Sequence, residues 1–212
     1  MYKALLLDLD NTLLDIDFQG FMEEYVQRVA RRFADRVPPE RFAQQLIEST
    51  RAMILNDRAG RTVLQAFVDD FFPKLELPVR YMDRFMDFYR EEFRELRRWA
   101  RPMPFARQFI ETALSRSLRV VIATAPLFPL EAIQERMRWA DVADLEFAFI
   151  TPADNMHFSK PSPRYYLEIA ESIELRPEEC LMIGDEELMD GAAAAAGMRV
   201  ELVGPNRPSN MS

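Results

Sequence analysis

The chain has one cysteine, one histidine and three lysines in 212 residues. It also lacks any long apolar run. The single cysteine, Cys180, excludes an intrachain disulfide and points to a reducing compartment. It lies in the run Cys-Leu-Met-Ile, which reads as buried strand, so a small core side chain is expected there rather than a nucleophile. The lone histidine, His157, gives little support to zinc-hydrolase or Ser-His hydrolase chemistry, and it reads as a surface loop residue. No apolar stretch approaches the roughly 18 residues of a membrane span. Met1-Tyr2-Lys3-Ala4 runs straight into a strand pattern with no signal or transit segment. A cytoplasmic protein without a membrane partner is expected. Positive charge is scarce too, with 27 basic against 35 acidic side chains and a net charge of −8. That excludes the basic footprint of a dedicated nucleic-acid binder.

What is present is a hydrophobic fraction of 49%, enough for a real core in one large domain or two small ones. Arginine replaces lysine almost everywhere, 24 to three, which makes Lys3, Lys74 and Lys160 worth a question each. A compact ammonium serves where one point charge must meet a phosphate oxygen.

Residues 3–8 form a continuous apolar run ending in a carboxylate, the pattern of a strand buried on both faces of a parallel sheet. Similar runs recur at 118–123, 145–150, 180–184 and 198–203. Helical patterns alternate with them. Phe105, Phe109, Ile110 and Ala113 share one face, as do Leu130, Ile133 and Met137. Ser162-Pro163 is an N-cap with proline at the first helical position, and the alanine run 192–196 is a helix stopped by Gly197. The expected fold is α/β, a Rossmann-like doubly wound parallel sheet.

Residues 16–100 show no convincing strand. They carry four amphipathic helical patterns: Phe18 to Phe33 with Asp17 as N-cap, Phe42 to Ile54, Thr62 to Phe72, and Tyr81 to Leu96. Pro38-Pro39, Gly60 and Pro78 punctuate them. The expected organisation is a core of 1–15 and 101–212, with a four-helix unit at 16–100 inserted after the first strand. Arg101-Pro102-Met103-Pro104 reads as the return hinge. The aromatic and methionine stripes read as helix packing.

In open α/β sheets, ligands sit beyond the carboxyl ends of the strands. The first strand delivers Asp8, Asp10 and Thr12 there, and the second delivers Thr124. The third is followed by a loop with Lys160-Pro161, and the fourth delivers Gly184-Asp185-Glu186 with Asp190 beyond. Taken singly, each has a turn, cap or surface reading. Together they place acids, a hydroxyl and a lysine at one sheet edge. Clustered carboxylates repel and raise one another's pKa. A divalent cation with oxygen ligands, Mg²⁺ above all, resolves that repulsion.

At this point the chain resembles the haloacid dehalogenase-like hydrolase superfamily. Asp8-Leu-Asp10-Asn11-Thr12 is similar to its Asp-x-Asp-x-Thr motif, Thr124 to its second, Lys160 to its third, and Gly184-Asp185 through Asp190 to a Gly-Asp-x4-Asp fourth. The helical insertion resembles that superfamily's first type of cap. The resemblance implies a Mg²⁺-dependent phosphatase acting on a small phosphorylated substrate. Asp8 would be the nucleophile, forming an aspartyl-phosphate, and Asp10 the general acid and then base. A carboxylate oxygen of Asp8, the backbone carbonyl of Asp10 and the Asp185 carboxylate would bind Mg²⁺. Thr124, the N–H of Ala125 and Lys160 would hold the phosphoryl group, and the helical cap would close over it.

Two departures stand out. Ala125 occupies a position where relatives often carry Asn. The fourth motif also has two registers: counting from Gly184 favours Asp185 as metal ligand, and counting back from Asp190 gives Glu186. Asp190 is expected to orient a metal-bound water or Lys160. Two alternatives stay open, a sugar-phosphate mutase of the same superfamily and a non-catalytic phospho-ligand module. Asp10 argues against a haloacid dehalogenase, and Lys74 comes too late in the insertion for a phosphonatase-type Schiff base. Arg51, Arg58 and Arg61 read as a solvated helix face that an anionic substrate group could also meet. The insertion holds 15 basic and 15 acidic side chains, so the whole charge of −8 sits on the core.

Overall fold

The computed structural model describes residues 2–203; Met1 and the expected core residues 204–212 lie outside them. Five parallel strands form the main sheet: β1 (Ala4–Leu7), β4 (Arg119–Ile122), β5 (Phe149–Ile150), β6 (Cys180–Gly184) and β7 (Arg199–Leu202), in the order β5-β4-β1-β6-β7. Every residue of β1 is buried, as its uninterrupted apolar run requires of the central strand. Its register pairs Leu7 with Ile122 on one side and Ile183 on the other, so three strands end together. Cys180 is a buried core residue at the start of β6. Helices α5 (Ala106–Ser115), α6 (Leu130–Trp139) and α7 (Pro163–Ser172) flank the sheet. The Ser162 hydroxyl accepts from the Arg164 N–H at the start of α7, as the sequence indicates.

The strand expected at 145–150 is reduced to its last two residues. Leu145 turns back onto the carbonyl of Val142, and pairing begins only when the Ala148 N–H reaches Val120. The alanine run is a 3-10 helix, Gly191–Ala196, not an α-helix; Gly197, at a φ of 91°, ends it where sequence places the stop.

The segment after β1 leaves the sheet through a neck that the sequence reading treats only as a hinge. Strand β2 (Leu14–Ile16) pairs antiparallel with β3 (Ala100–Pro102), which places a strand residue at each end of the supposedly strand-free insertion. Leu14 and Ile16 are buried, while Asp15 turns outward to a salt bridge with Arg101 at 2.7 Å. Between the neck strands lie α1 (Phe18–Arg32), α2 (Pro39–Ile54), α3 (Val63–Lys74) and α4 (Met82–Glu91). Asp17 caps α1 by accepting from the Gly20 N–H. The fourth helical pattern breaks at Glu92 and continues as a 3-10 helix, Phe93–Trp99. A 3-10 helix aligns every third side chain, and Phe93, Leu96 and Trp99 use that spacing to pack inward.

The helices are joined by aromatic packing. Phe33 meets Phe42 at 4.8 Å and Phe42 meets Phe71 at 5.3 Å between ring centroids. The cluster runs on into the core: Phe93 stacks on Trp139 at 5.4 Å, and Phe128 lies 5.4 Å from Tyr25. A second set of ties joins the far side. The N–H groups of Val63 and Leu64 donate to Met156 and Ala153, and the Asn56 amide donates to the carbonyl of His157.

Candidate active site

The site lies where β1, β4 and β6 end together. Asp8 follows the last residue of β1, Thr124 comes two residues after β4, and Asp185 follows the last residue of β6. After Asp8 the chain folds tightly, with the N–H groups of Leu13 and Leu14 both donating to Leu9. Asn11 takes a φ of 58°, a left-handed conformation that Asn tolerates better than most residues. This reversal returns Asp10 to the same cavity as Asp8.

Lys160 is the centre of the charge arrangement. It is 3% exposed and donates to Oδ1 of Asp8 at 2.7 Å and to Oδ1 of Asp190 at 2.5 Å. The other oxygen of Asp190 accepts from the backbone N–H groups of Asp185 (3.1 Å) and Glu186 (3.2 Å). Asp190 therefore fixes both the ammonium and the turn that carries Asp185. Gly184 is what lets it do so, since a Cβ there would lie 2.1 Å from Oδ2 of Asp190. The loop bearing Lys160 is held in turn by Glu168, whose carboxylate accepts from the N–H groups of His157 and Phe158. His157 is part-exposed, with Nδ1 2.6 Å from Glu168, and so secures a loop.

Burial pushes the Asp8 carboxyl up to about 7; the Lys160 ammonium opposes this, while the Asp190 and Asp10 charges add to it. Burial also works against the charge of Lys160, but Asp8 and Asp190 outweigh it and hold the ammonium above the ordinary lysine value. Asp185 is raised, first by burial and then by the Asp190 charge.

Asp8, Asp185 and Asp190 each offer one carboxylate oxygen within 4.8 Å of the others. An all-oxygen donor set of this charge suits Mg²⁺, which takes hard oxygen ligands. Lys160 uses only Oδ1 of Asp8; Oδ2 has no hydrogen-bond partner among the described residues. The Glu186 and Asp10 carboxylates stand outside this cluster.

Thr124 is buried, and its carbonyl accepts from Thr151 Oγ1 and the Tyr165 hydroxyl, both at 2.8 Å. These bonds anchor the turn at Thr124-Ala125, and both residues line the same cavity as the acids, a space of about 350 Å³.

The structure adds a residue that the sequence reading passed over. Arg136, on α6, is 1% exposed, donates to Oδ2 of Asp10 and lies over the Phe128 ring at 4.7 Å. Its position was legible: it interrupts the apolar stripe of Ile133 and Met137, and a charge inside a buried stripe needs a partner. Five buried side-chain atoms lack a partner among the described residues: Asp10 Oδ1, Thr12 Oγ1, Ser159 Oγ, and Nε and Nη2 of Arg136. All but Thr12 belong to residues lining this cavity. Unsatisfied buried groups are rare in folded proteins, so their concentration here marks a place built for a polar ligand. The insertion's arginines divide. Arg61 is engaged by Asn56 and Asp69, Arg58 is exposed, and Arg51 borders an apolar cavity beside the site.

A parallel sheet that gathers acids and one lysine at its carboxyl edge, with a helical insertion after the first strand, defines a class of hydrolase. The chain belongs to the haloacid dehalogenase-like hydrolases, whose family model matches residues 2–197. It is 23% identical over 207 residues to the Bacillus subtilis strain 168 protein named "Putative phosphatase YhcW", covering 98% of this chain and 85% of that one. Among solved structures it shares its fold with a haloacid dehalogenase-type phosphatase from Thermococcus onnurineus, with a TM-score of 0.60, 18% identity, and coverage of 99% and 91% of the two chains. It is similarly close to a beta-phosphoglucomutase from Clostridium difficile, with a TM-score of 0.56, 16% identity, and coverage of 96% and 85%.

Proposed function

We propose that the protein is a Mg²⁺-dependent phosphatase that hydrolyses a small phosphorylated metabolite through an aspartyl-phosphate on Asp8. The observation that carries this reading is Lys160 buried between Asp8 and Asp190 beside Asp185, in a cavity large enough for a phosphoryl group. The domain reading goes with it: residues 16–100 act as a cap over a core of 1–15 and 101–212.

Bound at Asp8, the Asp10 carbonyl and Asp185, Mg²⁺ would supply the positive charge that lets a phosphoryl dianion approach an anionic nucleophile. Asp8 attacks phosphorus in line with the leaving oxygen, and the phosphorus–oxygen bond to the alcohol breaks. Lys160 favours the ionised form of Asp8 and draws charge from a phosphoryl oxygen. Asp10 gives a proton to the departing alkoxide and then takes one from the water that attacks the acyl phosphate. Arg136 orients Asp10 for both transfers. The Thr124 hydroxyl and Ala125 N–H bind the remaining oxygens. Asp190 positions Lys160 and the turn at Asp185.

Hydrolysis of p-nitrophenyl phosphate with Mg²⁺, lost in Asp8→Asn, is the expected result. Lys160 keeps Asp190 as a partner in that variant, so the fold survives. Absence of turnover across a broad panel of phosphomonoesters would refute the reading. A mutase must hold a sugar's hydroxyls while it turns over, and the space next to this site offers few groups to do so.

A further inference from the structure

The catalytic cavity does not end at the phosphate site. A second cavity of about 340 Å³ lies between the cap helices and the loop after β4. The two share four walls: Phe18, Ile54, Leu127 and Phe128. The second space is therefore adjacent to a phosphoryl group seated at Asp8.

That space has almost nothing to offer a hydroxyl. Its only charged lining residue is Arg51, which is exposed. The Tyr25 and Tyr89 hydroxyls bond each other at 2.7 Å, and Thr50 donates to the carbonyl of Leu46 in its own helix. The remaining walls are aliphatic, methionine, proline and phenylalanine side chains. A polyhydroxy group placed here would lose its water without finding partners. A hydrocarbon group loses nothing and gains from burial. Two large apolar side chains on the lining, Phe18 and Ile47, are 47% and 64% exposed, an arrangement that suits guiding an apolar group inward.

Size narrows the ligand further. About 150 Å³ suffices for benzene in an apolar protein cavity. A space of about 340 Å³ then holds on the order of ten carbon atoms. The space opens to solvent beside Phe18, Ile47 and Arg51, which gives a ligand a way in.

We propose that the substrate is a phosphomonoester of a hydrocarbon-rich alcohol, alkyl or aryl, whose apolar part fills this cavity while the phosphate sits at Asp8. The proposal rests on the phosphatase reading and names its substrate class. The reaction is ROPO₃²⁻ + H₂O → ROH + HPO₄²⁻, with the alcohol leaving through the apolar space.

The test is a chain-length series, n-butyl, n-hexyl and n-octyl phosphate, with glycerol 3-phosphate as the polar control, in the presence of Mg²⁺. Each buried methylene is expected to raise kcat/KM about fourfold. Octyl phosphate should exceed butyl by about two orders of magnitude, and glycerol 3-phosphate should be the poorest. Ile47→Glu puts a charge at an exposed rim position, so the fold is retained. It should weaken the octyl substrate far more than the butyl one. Val26→Trp should shorten the preferred chain; if that variant does not fold, Ile47→Glu carries the comparison. Turnover with no dependence on chain length overturns the cavity assignment and leaves the phosphatase reading standing. No turnover of any phosphomonoester overturns the phosphatase reading, and calorimetric binding to Asp8→Asn then decides the cavity. Octyl phosphate binding more tightly than butyl phosphate retains the assignment, and equal or absent binding removes it.

Discussion

Gly184→Ala tests how the charge centre is built. Gly184 ends β6, and its Cα faces the Asp190 carboxylate. An added Cβ would stand 2.1 Å from Oδ2, 2.2 Å from Cγ and 2.7 Å from Cβ of Asp190, against an ordinary contact of 3.4–4 Å. The carboxylate must retreat by more than 1 Å, and its three bonds cannot follow: Lys160 at 2.5 Å, and the N–H groups of Asp185 and Glu186 at 3.1 and 3.2 Å. Asp190 and Lys160 are 1% and 3% exposed, so water cannot replace the lost partners. Breaking a buried charge pair costs about 3–5 kcal/mol. Lys160 keeps Asp8, which places the loss near the lower end, about 3 kcal/mol. For a chain of this length, that lowers Tm by roughly 6–12 °C. The assay is thermal unfolding followed by circular dichroism, with Gly60→Ala beside it. A Cβ on Gly60 meets nothing within 4 Å, so that control should stay within about 0.5 kcal/mol of the parent. If Gly184→Ala melts within about 2 °C of the parent, Asp190 does not pack on Gly184 and the account of the lysine's seating fails.

Three further outcomes are expected. Arg136→Met should lower Tm, because it leaves the Asp10 carboxylate without its charged partner, while kcat falls by roughly 10–100-fold and its pH profile shifts as Asp10 loses its orientation. A melt and a kcat–pH profile separate these effects. Mg²⁺ at about 100 times its Kd should stabilise the protein by about 2.7 kcal/mol, roughly 5–10 °C in Tm, and calorimetry should show that gain lost in Asp185→Asn and on adding chelator. Glu24 is held down at about 2, chiefly by its bond with Arg98 and further by Trp99 and Arg28, against the opposing effect of burial. A carboxylate with a depressed folded pKa contributes its full stabilisation above its ordinary value of 4.5 and loses it as the pH falls toward 2. Glu24→Gln should therefore melt below the parent at pH 6, with the gap closing by pH 2.

Much of this site could be read from one-dimensional pattern because parallel strands deliver their last residues to one edge. Asp8, Thr124 and Asp185 stand at strand ends in the sequence, and the shared register of Leu7, Ile122 and Ile183 brings those ends together. Lys160 was marked by rarity, one of three lysines in an arginine-rich chain. What escaped depends on partners far apart along the chain. Arg136 and Asp10 are 126 positions apart, so the guanidinium looked like one more helix charge until Asp10 came to face it. The β2–β3 neck joins Leu14 to Pro102 with three residues a side, too few for alternation to show. The break at Glu92 follows from inward packing of Phe93, Leu96 and Trp99, a spacing of three that a helical pattern also contains. The fourth-motif ambiguity was local. Two adjacent acids follow Gly184, and only the folded turn sets Asp185 beside Asp8 and Asp190 while leaving Glu186 outside.

The aromatic seam between insertion and core bears on how the molecule melts and how it can be rebuilt. Phe93 lies on Trp139, and Phe21 and Tyr25 lie against Phe128, so each part supplies rings to the other's interior. Separating them would wet several large aromatic faces at once, each worth kilocalories of burial (about 1.5–3 kcal/mol apiece). Insertion and core are therefore thermodynamically one cooperative body, although the chain makes a detour to build the first. Transplanting a foreign insertion between Asp17 and Trp99 would succeed only if it brought rings to replace Phe21, Tyr25 and Phe93. The modularity suggested by the chain's layout stops at Phe128 and Trp139.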